Sequence, residues 1–309
     1  MKIAIIGAGA MGSIFGYMLS LVADVYLIDT FEEHVSKINE SGLTIEYLDG
    51  SRQTRRVFAA TDASMIGALV DVMLIFTKSY TTRQAALSAK PFLSENGHVL
   101  TLQNGLGNVD RIADIFGIEK TIAGVTSHGG TFVEPGVVRH AGTGPTYMAG
   151  HKQHAQAVFL LAKLFNKAGI ETVVSDNIDS LIWGKLIINV GINAMTAILR
   201  VKNGVLAQTP ACEVIMEKAV SEAVAVAKAL EIKLPFDDPF KEVKKVCVHT
   251  AENRASMLQD VLKGSKTEVG VINRAIVEKG KQTGILTPCN LFLSEVIEAI
   301  EATSNKRCV

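Results

Sequence analysis

Cysteine is scarce in this chain. Four residues, Cys212, Cys247, Cys289 and Cys308, are scattered through 309 without a CxxC pair. That spacing argues against a zinc ribbon and against a disulfide framework, so reduced thiols and no bound metal are expected. An excess of either charge is also missing. Thirty-one Lys and Arg balance 31 Asp and Glu, which leaves no long-range field to draw in nucleic acid or an anionic membrane. Nor is there an uninterrupted run of about eighteen apolar residues, because Asp71, Lys185 and nearby asparagines break the best candidates. Met1 leads at once into an apolar strand, without the basic region, apolar region and cleavage site of a signal peptide. The expectation is a cytoplasmic protein with neither a membrane nor a nucleic-acid partner. What the chain does have is hydrophobic content, 48% against 20% charged, at a length that suits two domains.

Residues 2–6, KIAII, read as a buried strand that runs into Gly7-Ala8-Gly9-Ala10-Met11-Gly12 and then an apolar-periodic segment with Ile14, Phe15, Met18 and Leu19. Strand, glycine turn and helix in that order are the context a GxGxxG needs to bind a dinucleotide. The glycines permit the turn and a close backbone approach, and the helix N-terminus presents free N–H groups to a pyrophosphate. A second strand, Val25–Ile28, ends at Asp29, 17 residues past Gly12, where a ribose-reading acid belongs. A solvated turn aspartate would look the same. Two more strands, Val70–Phe76 and Val99–Leu102, end in Thr77-Lys78-Ser79 and Gln103-Asn104-Gly105. Lys78 alone reads as solvated and Asn104-Gly105 alone as a tight turn; the shared carboxyl edge of a parallel sheet makes them candidates. Thr121–Gly150 reads as short strands and turns, a hairpin-like extension of the sheet, with His128 and His140 as ordinary loop histidines. A helix over 151–170 and a short strand at Glu171–Val174 follow.

Beyond about residue 176 helical periodicity takes over, at 179–199, 210–231, 239–262, 266–282 and 288–303, punctuated by Pro210, Pro235 and Pro288. The expected fold is α/β: an N-terminal Rossmann-type doubly wound parallel sheet over 1–176 and an all-helical domain over 177–309. In WGKLIINVGIN, Lys185, Asn189 and Asn193 are spaced four apart, so they form one polar stripe on an otherwise apolar helix. Buried polar groups without partners cost about 1–3 kcal/mol each. A ligand would explain the stripe, and so would a polar seam facing another domain or water. Asn253, Ser256 and Asp260 fall on one helical face, and Ser265-Lys-Thr-Glu268 has the spacing of a capping box. Spacing alone favours the cap for Glu268.

Together these segments make the chain similar to the 2-dehydropantoate 2-reductases, the ketopantoate reductases. The resemblance runs through nearly the whole chain. It rests on GAGAMG at 7–12, the lysine in TKS, QNG at 103–105, WGKLIINVGIN at 183–193, and ENRASMLQD followed by KTE at 266–268. It implies reduction of ketopantoate to pantoate, in pantothenate and coenzyme A biosynthesis, with NADH or NADPH. By the same resemblance Lys185 is the general acid and Glu268 the carboxylate beside it, which outweighs the cap. Asn104, Asn189, Asn193, Asn253 and Ser256 match substrate-binding positions. Gly7, Ala8, Gly9, Ala10, Met11, Gly12 and Asp29, with Lys78, Asn104 and Glu268, match cofactor-binding ones.

One position departs from the family's pattern. Many members follow the second strand with a basic residue that holds the 2′-phosphate of NADPH, and here Thr30 follows Asp29. The residues therefore lean toward NADH, while family habit leans toward NADPH. The partner expected is a small 2-keto acid met in the cleft between two domains; another branched 2-keto acid, or a non-catalytic nucleotide sensor, would use the same scaffold. A homodimer is left open, since no residue pattern speaks for or against it.

Overall fold

The computed structural model describes residues 1–306, and Cys308 lies outside the described residues. The chain divides into two compact units, one of residues 1–103 and 107–178, the other of 104–106 and 179 onward. The first unit holds strands β1 (Lys2–Ile6), β2 (Asp24–Ile28), β3 (Leu43–Glu46), β4 (Arg52–Arg55), β5 (Phe58–Ala60), β6 (Val70–Ile75), β7 (Leu93–Thr101), β8 (Thr121–Thr126), β9 (Gly129–Glu134), β10 (Val137–Gly142), β11 (Thr146–Gly150) and β12 (Thr172–Val174). Its helices are α1 (Ala10–Leu19), α2 (Glu32–Ser41), α3 (Thr82–Ala89), α4 (Asn108–Phe116) and α5 (Ala155–Lys167). Eight strands form one sheet in the order β12-β11-β8-β7-β6-β1-β2-β5, and every adjacent pair is parallel except β8 with β11.

The composition of β1 follows from this order. A central parallel strand is covered on both faces, so it has no need of alternation. Ile3 and Ile5 enter a core with Ile14 and Phe15 of α1, Ile38 of α2 and Phe165 of α5. Ala4 and Ile6 enter a second core with Ala86 of α3 and Ile112 and Phe116 of α4. This is the doubly wound arrangement read from the sequence.

The hairpin region differs from its expectation. β8 and β11 do extend the main sheet, but β9 and β10 leave it and join β3 and β4 in a separate sheet of order β4-β3-β10-β9. Glu46 on β3 explains the choice in part, because its carboxylate accepts from Arg52 on β4 at 2.6 Å and from Arg139 on β10 at 2.5 Å. Packing supplies the rest, since Ile45 and Val138 join the core on the α1 side. His128 and His140 are not ordinary loop histidines. Both are buried, His140 sits within β10, and Nδ1 of His128 lies 2.9 Å from Nε2 of His140. Burial holds both below the usual histidine range, His128 at about 4.

The regular elements described in the second unit are all helices: α6 (Ile178–Leu199), α7 (Asn203–Gln208), α8 (Pro210–Ala229), α9 (Pro239–His249), α10 (Ser256–Leu262), α11 (Asn273–Thr283) and α12 (Pro288–Ala302). Ile178, the first residue of α6, is counted with the first unit. Pro210, Pro239 and Pro288 each open a helix, where the missing N–H costs nothing and φ is already set. α6 is the core helix. By length and by a hydropathy of 1.5 over eighteen residues it could cross a bilayer, yet two-thirds of that stretch is buried in the protein. Trp183, Leu186, Ile187 and Val190 pack there with Met216 and Val220 of α8, Val243 of α9 and Leu293 of α12. Each large apolar side chain so buried contributes about 1.5–3 kcal/mol. Gly191 lets α9 approach closely, for a Cβ there would lie 2.7 Å from Val243 Cγ1.

Two long helices of the sequence reading are interrupted. The 239–262 segment breaks over residues 250–255, where the carbonyls of Ala251 and Asn253 are taken by the N–H groups of Gly204 and Asn203 at the start of α7, both at 3.1 Å. Only α10 resumes the helix. The 266–282 segment begins with a short 3-10 turn, Val269–Val271, before α11. The described cysteines are free; Cys212 and Cys247 are buried, and burial pushes the thiols of Cys247 and Cys289 up to about 11.

Candidate active site

In the first unit the sheet order reverses beside β1: β2 lies on one side of it and β6 on the other. The glycine turn stands at that switch point. Gly7 has φ +97°, which an L side chain resists, and a Cβ there would fall 2.6 Å from the backbone N of Thr77, just past β6. Gly9, the N-cap of α1, opens onto free space, with nothing within 4 Å of an added Cβ. Gly12 has no such room, because a Cβ would run into the carbonyl of Gly7. The three glycines thus serve turn, approach and packing, the division of labour a dinucleotide loop requires. The first turn of α1 carries no acidic residue and no capping side chain, so its positive end is left for an anion.

Asp29 follows the last residue of β2 and is half-buried; Oδ1 accepts the N–H of Phe31 at 3.0 Å. Thr30 is exposed. Lys37, a cation near enough in sequence to swing toward Asp29, is paired with Glu40 at 3.0 Å. Lys78 is half-buried at the end of β6, and its carbonyl accepts from the backbone N–H and hydroxyl of Thr81, both at 2.9 Å. Gln103 was not singled out by sequence reasoning. Its amide donates to the Thr77 carbonyl at 2.5 Å and to Thr82 Oγ1 at 2.8 Å, which ties the ends of β6 and β7 together.

The second unit carries the polar stripe. α6 sets Lys185, Asn189 and Asn193 on successive turns, with Lys185 and Asn189 half-buried and Asn193 only 5% exposed. Part of the Lys185 side chain reaches the surface, but the surrounding protein strips water from its ammonium. That desolvation lowers its pKa from the usual lysine range to about 8, and the carboxylate of Glu268 opposes the drop. Nδ2 of Asn189 is buried and has no hydrogen-bond partner. The fold itself supplies no acceptor for this donor, which makes it a candidate to meet a ligand oxygen. Glu268 is 8% exposed. The segment before and after it is held by Glu301 of α12, which accepts the N–H of Thr267 at 2.8 Å, and by Val271, whose carbonyl accepts the N–H of Leu106 at 3.0 Å. That second bond brings Asn104, Gly105 and Leu106 into this unit. Gly105 is required there, since φ is +82° and a Cβ would lie 2.6 Å from Val271 Cγ2.

Similarity to known proteins follows the same division of the chain. The family described as ketopantoate reductase PanE/ApbA matches residues 3–153, and its C-terminal counterpart matches 177–301. The 2-dehydropantoate 2-reductase of Pyrococcus abyssi is 37% identical, over 99% of this chain and 100% of its own. That of Halobacterium salinarum is 36% identical, over 96% and 98%. This chain belongs to the ketopantoate reductase family. Among solved structures, a ketopantoate reductase from Ralstonia eutropha superposes with a TM-score of 0.91 at 33% identity, and a D-mandelate dehydrogenase, in a ternary structure with NADH and anilino(oxo)acetate, with 0.92 at 32%; each covers 99% of this chain and 100% of its own.

Two site assignments drawn from spacing need correcting. Asn253 does not share a helical face with Ser256 and Asp260: it is exposed, in the irregular stretch before α10, and its backbone carbonyl is bonded to Asn203. Ser256 is the first residue of α10 and half-buried, and Asp260 is buried on that helix. The capping box fails because no helix starts at Ser265. The N–H of Ser265 instead donates to the Asp260 carbonyl at 2.9 Å, and the 3-10 turn that starts after Glu268 has no side-chain cap. Thr267 and Glu301, which hold the Glu268 segment, were missed, although Thr two residues before Val269 fits the turn in which its Oγ1 accepts that N–H at 3.2 Å.

Proposed function

We propose that this protein reduces the 2-keto group of 2-dehydropantoate, with Lys185 as the proton donor. The single observation that carries this reading is the desolvated Lys185, near pKa 8 with Glu268 opposing the shift, one helical turn from the orphaned amide of Asn189. A sensor of nucleotides would need no such donor. The fit of the glycine turn and uncapped α1 to a dinucleotide supports the first unit, taken as 1–176, as the cofactor domain and 177–309 as the catalytic one. Gly7 through Gly12, Asp29 and Lys78 would hold the cofactor, and the family resemblance adds Asn104 and Glu268 to that set.

A bound reduced nicotinamide supplies a hydride to the keto carbon. As that carbon gains the pair, the carbonyl π electrons move to oxygen, and Lys185 gives that oxygen its proton, so keto acid, hydride and proton balance as the 2-hydroxy acid. The ammonium also stabilises the developing negative charge, and Asn189 and Asn193 add donors without adding charge. Asn104, Asn253 and Ser256 complete the substrate set in this reading; the exposed position of Asn253 makes it the weakest member.

For the coenzyme, the finer proposal is NADH over NADPH. What supports it is Asp29 fixed by Phe31, exposed Thr30 in place of a cation, and Lys37 engaged by Glu40. A second substrate reading has a specific observation behind it: the likeness to D-mandelate dehydrogenase with NADH and an oxo acid. A cytoplasmic location belongs to the same proposal. The test is turnover of purified protein with ketopantoate and with phenylglyoxylate, each with both reduced nicotinamides. Oxidation of cofactor with ketopantoate supports the main reading, oxidation with phenylglyoxylate alone selects the second, and tight cofactor binding with no turnover selects the sensor.

A further inference from the structure

One buried histidine lies behind the glycine turn and has no part in the chemistry above. His34 of α2 is 0% exposed. Its Nδ1 accepts the N–H of Gly136, in the turn between β9 and β10, at 2.9 Å. A ring nitrogen that accepts carries no proton, so the hydrogen of the neutral ring is on Nε2. Nε2 lies 2.9 Å from the carbonyl of Ala8 and 3.2 Å from Ser13 Oγ, and that hydroxyl itself donates to the Ala8 carbonyl at 2.6 Å. The oxygen of Ala8 is therefore held by two donors from two different helices.

The consequence follows from the peptide plane. In a trans peptide the C=O and the next N–H point in opposite directions. Fastening the Ala8 oxygen toward His34 and Ser13 turns the N–H of Gly9 the other way, and Gly9 is the residue where an added Cβ would meet nothing within 4 Å. We propose that His34, with Ser13, is a positioning residue for dinucleotide binding, fixing the Ala8–Gly9 peptide so that the Gly9 N–H faces the cofactor's pyrophosphate. The same ring couples the loop to the smaller sheet through Gly136. Rings of Phe31 and Phe132 flank it, 6.4 Å and 4.9 Å between centroids, and keep it desolvated. Burial holds His34 below the usual histidine range against the opposing charge of Asp29, which keeps the ring in the neutral form the geometry needs.

This inference rests on the dinucleotide reading of the first unit, and the experiment separates the two. The dissociation constants of NADH and NADPH are measured by nicotinamide fluorescence for the unmodified protein and for His34→Phe, His34→Gln and Ser13→Ala, alongside melting temperature. If the unmodified protein binds neither nucleotide, the reading of the unit fails. If it binds, His34→Phe should weaken binding about tenfold, the scale of one lost buried hydrogen bond, with kcat at saturating cofactor unchanged. His34→Gln, which offers one amide N–H for Ala8 and one carbonyl for the Gly136 N–H, should restore most of the loss, as a purely space-filling role would not. Ser13→Ala keeps the ring and removes the second donor, so it decides the matter should His34→Phe not fold; it should weaken binding several-fold. Folded His34→Phe or Ser13→Ala protein that binds as tightly as the unmodified protein overturns the proposal.

Discussion

Replacing Asp29 by Ala and Thr30 by Arg should shift coenzyme preference toward NADPH, and the charge of Asp29 sets the scale. Asp29 directly follows β2, and its carboxylate accepts the Phe31 N–H at 3.0 Å. Rotating it out of the way forfeits that bond, worth about 1 kcal/mol net and more for a charged acceptor. A 2′-phosphate brings up to two negative charges to the same place. At ~4 Å and an effective dielectric near 20, each unit of like charge costs on the order of 4 kcal/mol, before screening at a half-buried position. If about a third survives, each charge contributes roughly tenfold to the preference. The unmodified protein should therefore favour NADH by on the order of 10- to 100-fold in kcat/KM, and the double variant should move that ratio by at least as much in the other direction. The assay is steady-state absorbance at fixed keto acid with each coenzyme. An unmodified protein that already favours NADPH, or a double variant whose ratio stays put, refutes the assignment of Asp29 to the ribose.

Two further outcomes test the second unit. Glu268→Gln removes the carboxylate that holds the Lys185 pKa up, so the alkaline fall of kcat/KM should move to lower pH and the rate at neutral pH should drop; an unmoved limb would sever Glu268 from Lys185. Asn189→Leu removes a buried donor that has no partner, so the melting temperature should rise by a few degrees, at about 2–4 °C per kcal/mol for a domain of this size, while kcat/KM for the keto acid falls about tenfold or more. Loss of stability instead would mean that the amide is satisfied within the fold.

How much of this was legible in the sequence depends on the range of the interaction. α6 was readable because its polar stripe and apolar remainder share one helical period, and β1 with its glycine turn because strand, turn and helix are contiguous. The small sheet was not, since β4 reads RQTR and is largely exposed, offering no alternation to find. The break before α10 arises from carbonyls taken by α7, some fifty residues away. The grouping of Asn104 with the second unit depends on a bond from Leu106 to Val271, and the role of His34 on one from Gly136. A linear pattern carries no trace of such pairs. The capping-box misreading has the same origin: the spacing was right, but the chain turns at Gly264, φ +67°, and the helix it would cap does not start there.

The central claim is that Lys185 supplies the proton for reduction of a 2-keto acid, and the most direct test is the pH dependence of kcat/KM for ketopantoate at saturating reduced nicotinamide. A general acid works only while protonated, and kcat/KM reports the enzyme without bound keto acid. With Lys185 lowered to about 8, kcat/KM should be level on the acid side and fall tenfold per pH unit above about 8, and Lys185→Arg, whose side chain does not titrate in this range, should be slow and lack that limb. A profile that stays flat to about pH 10, or an unmodified limb that survives in Lys185→Arg, would contradict the account.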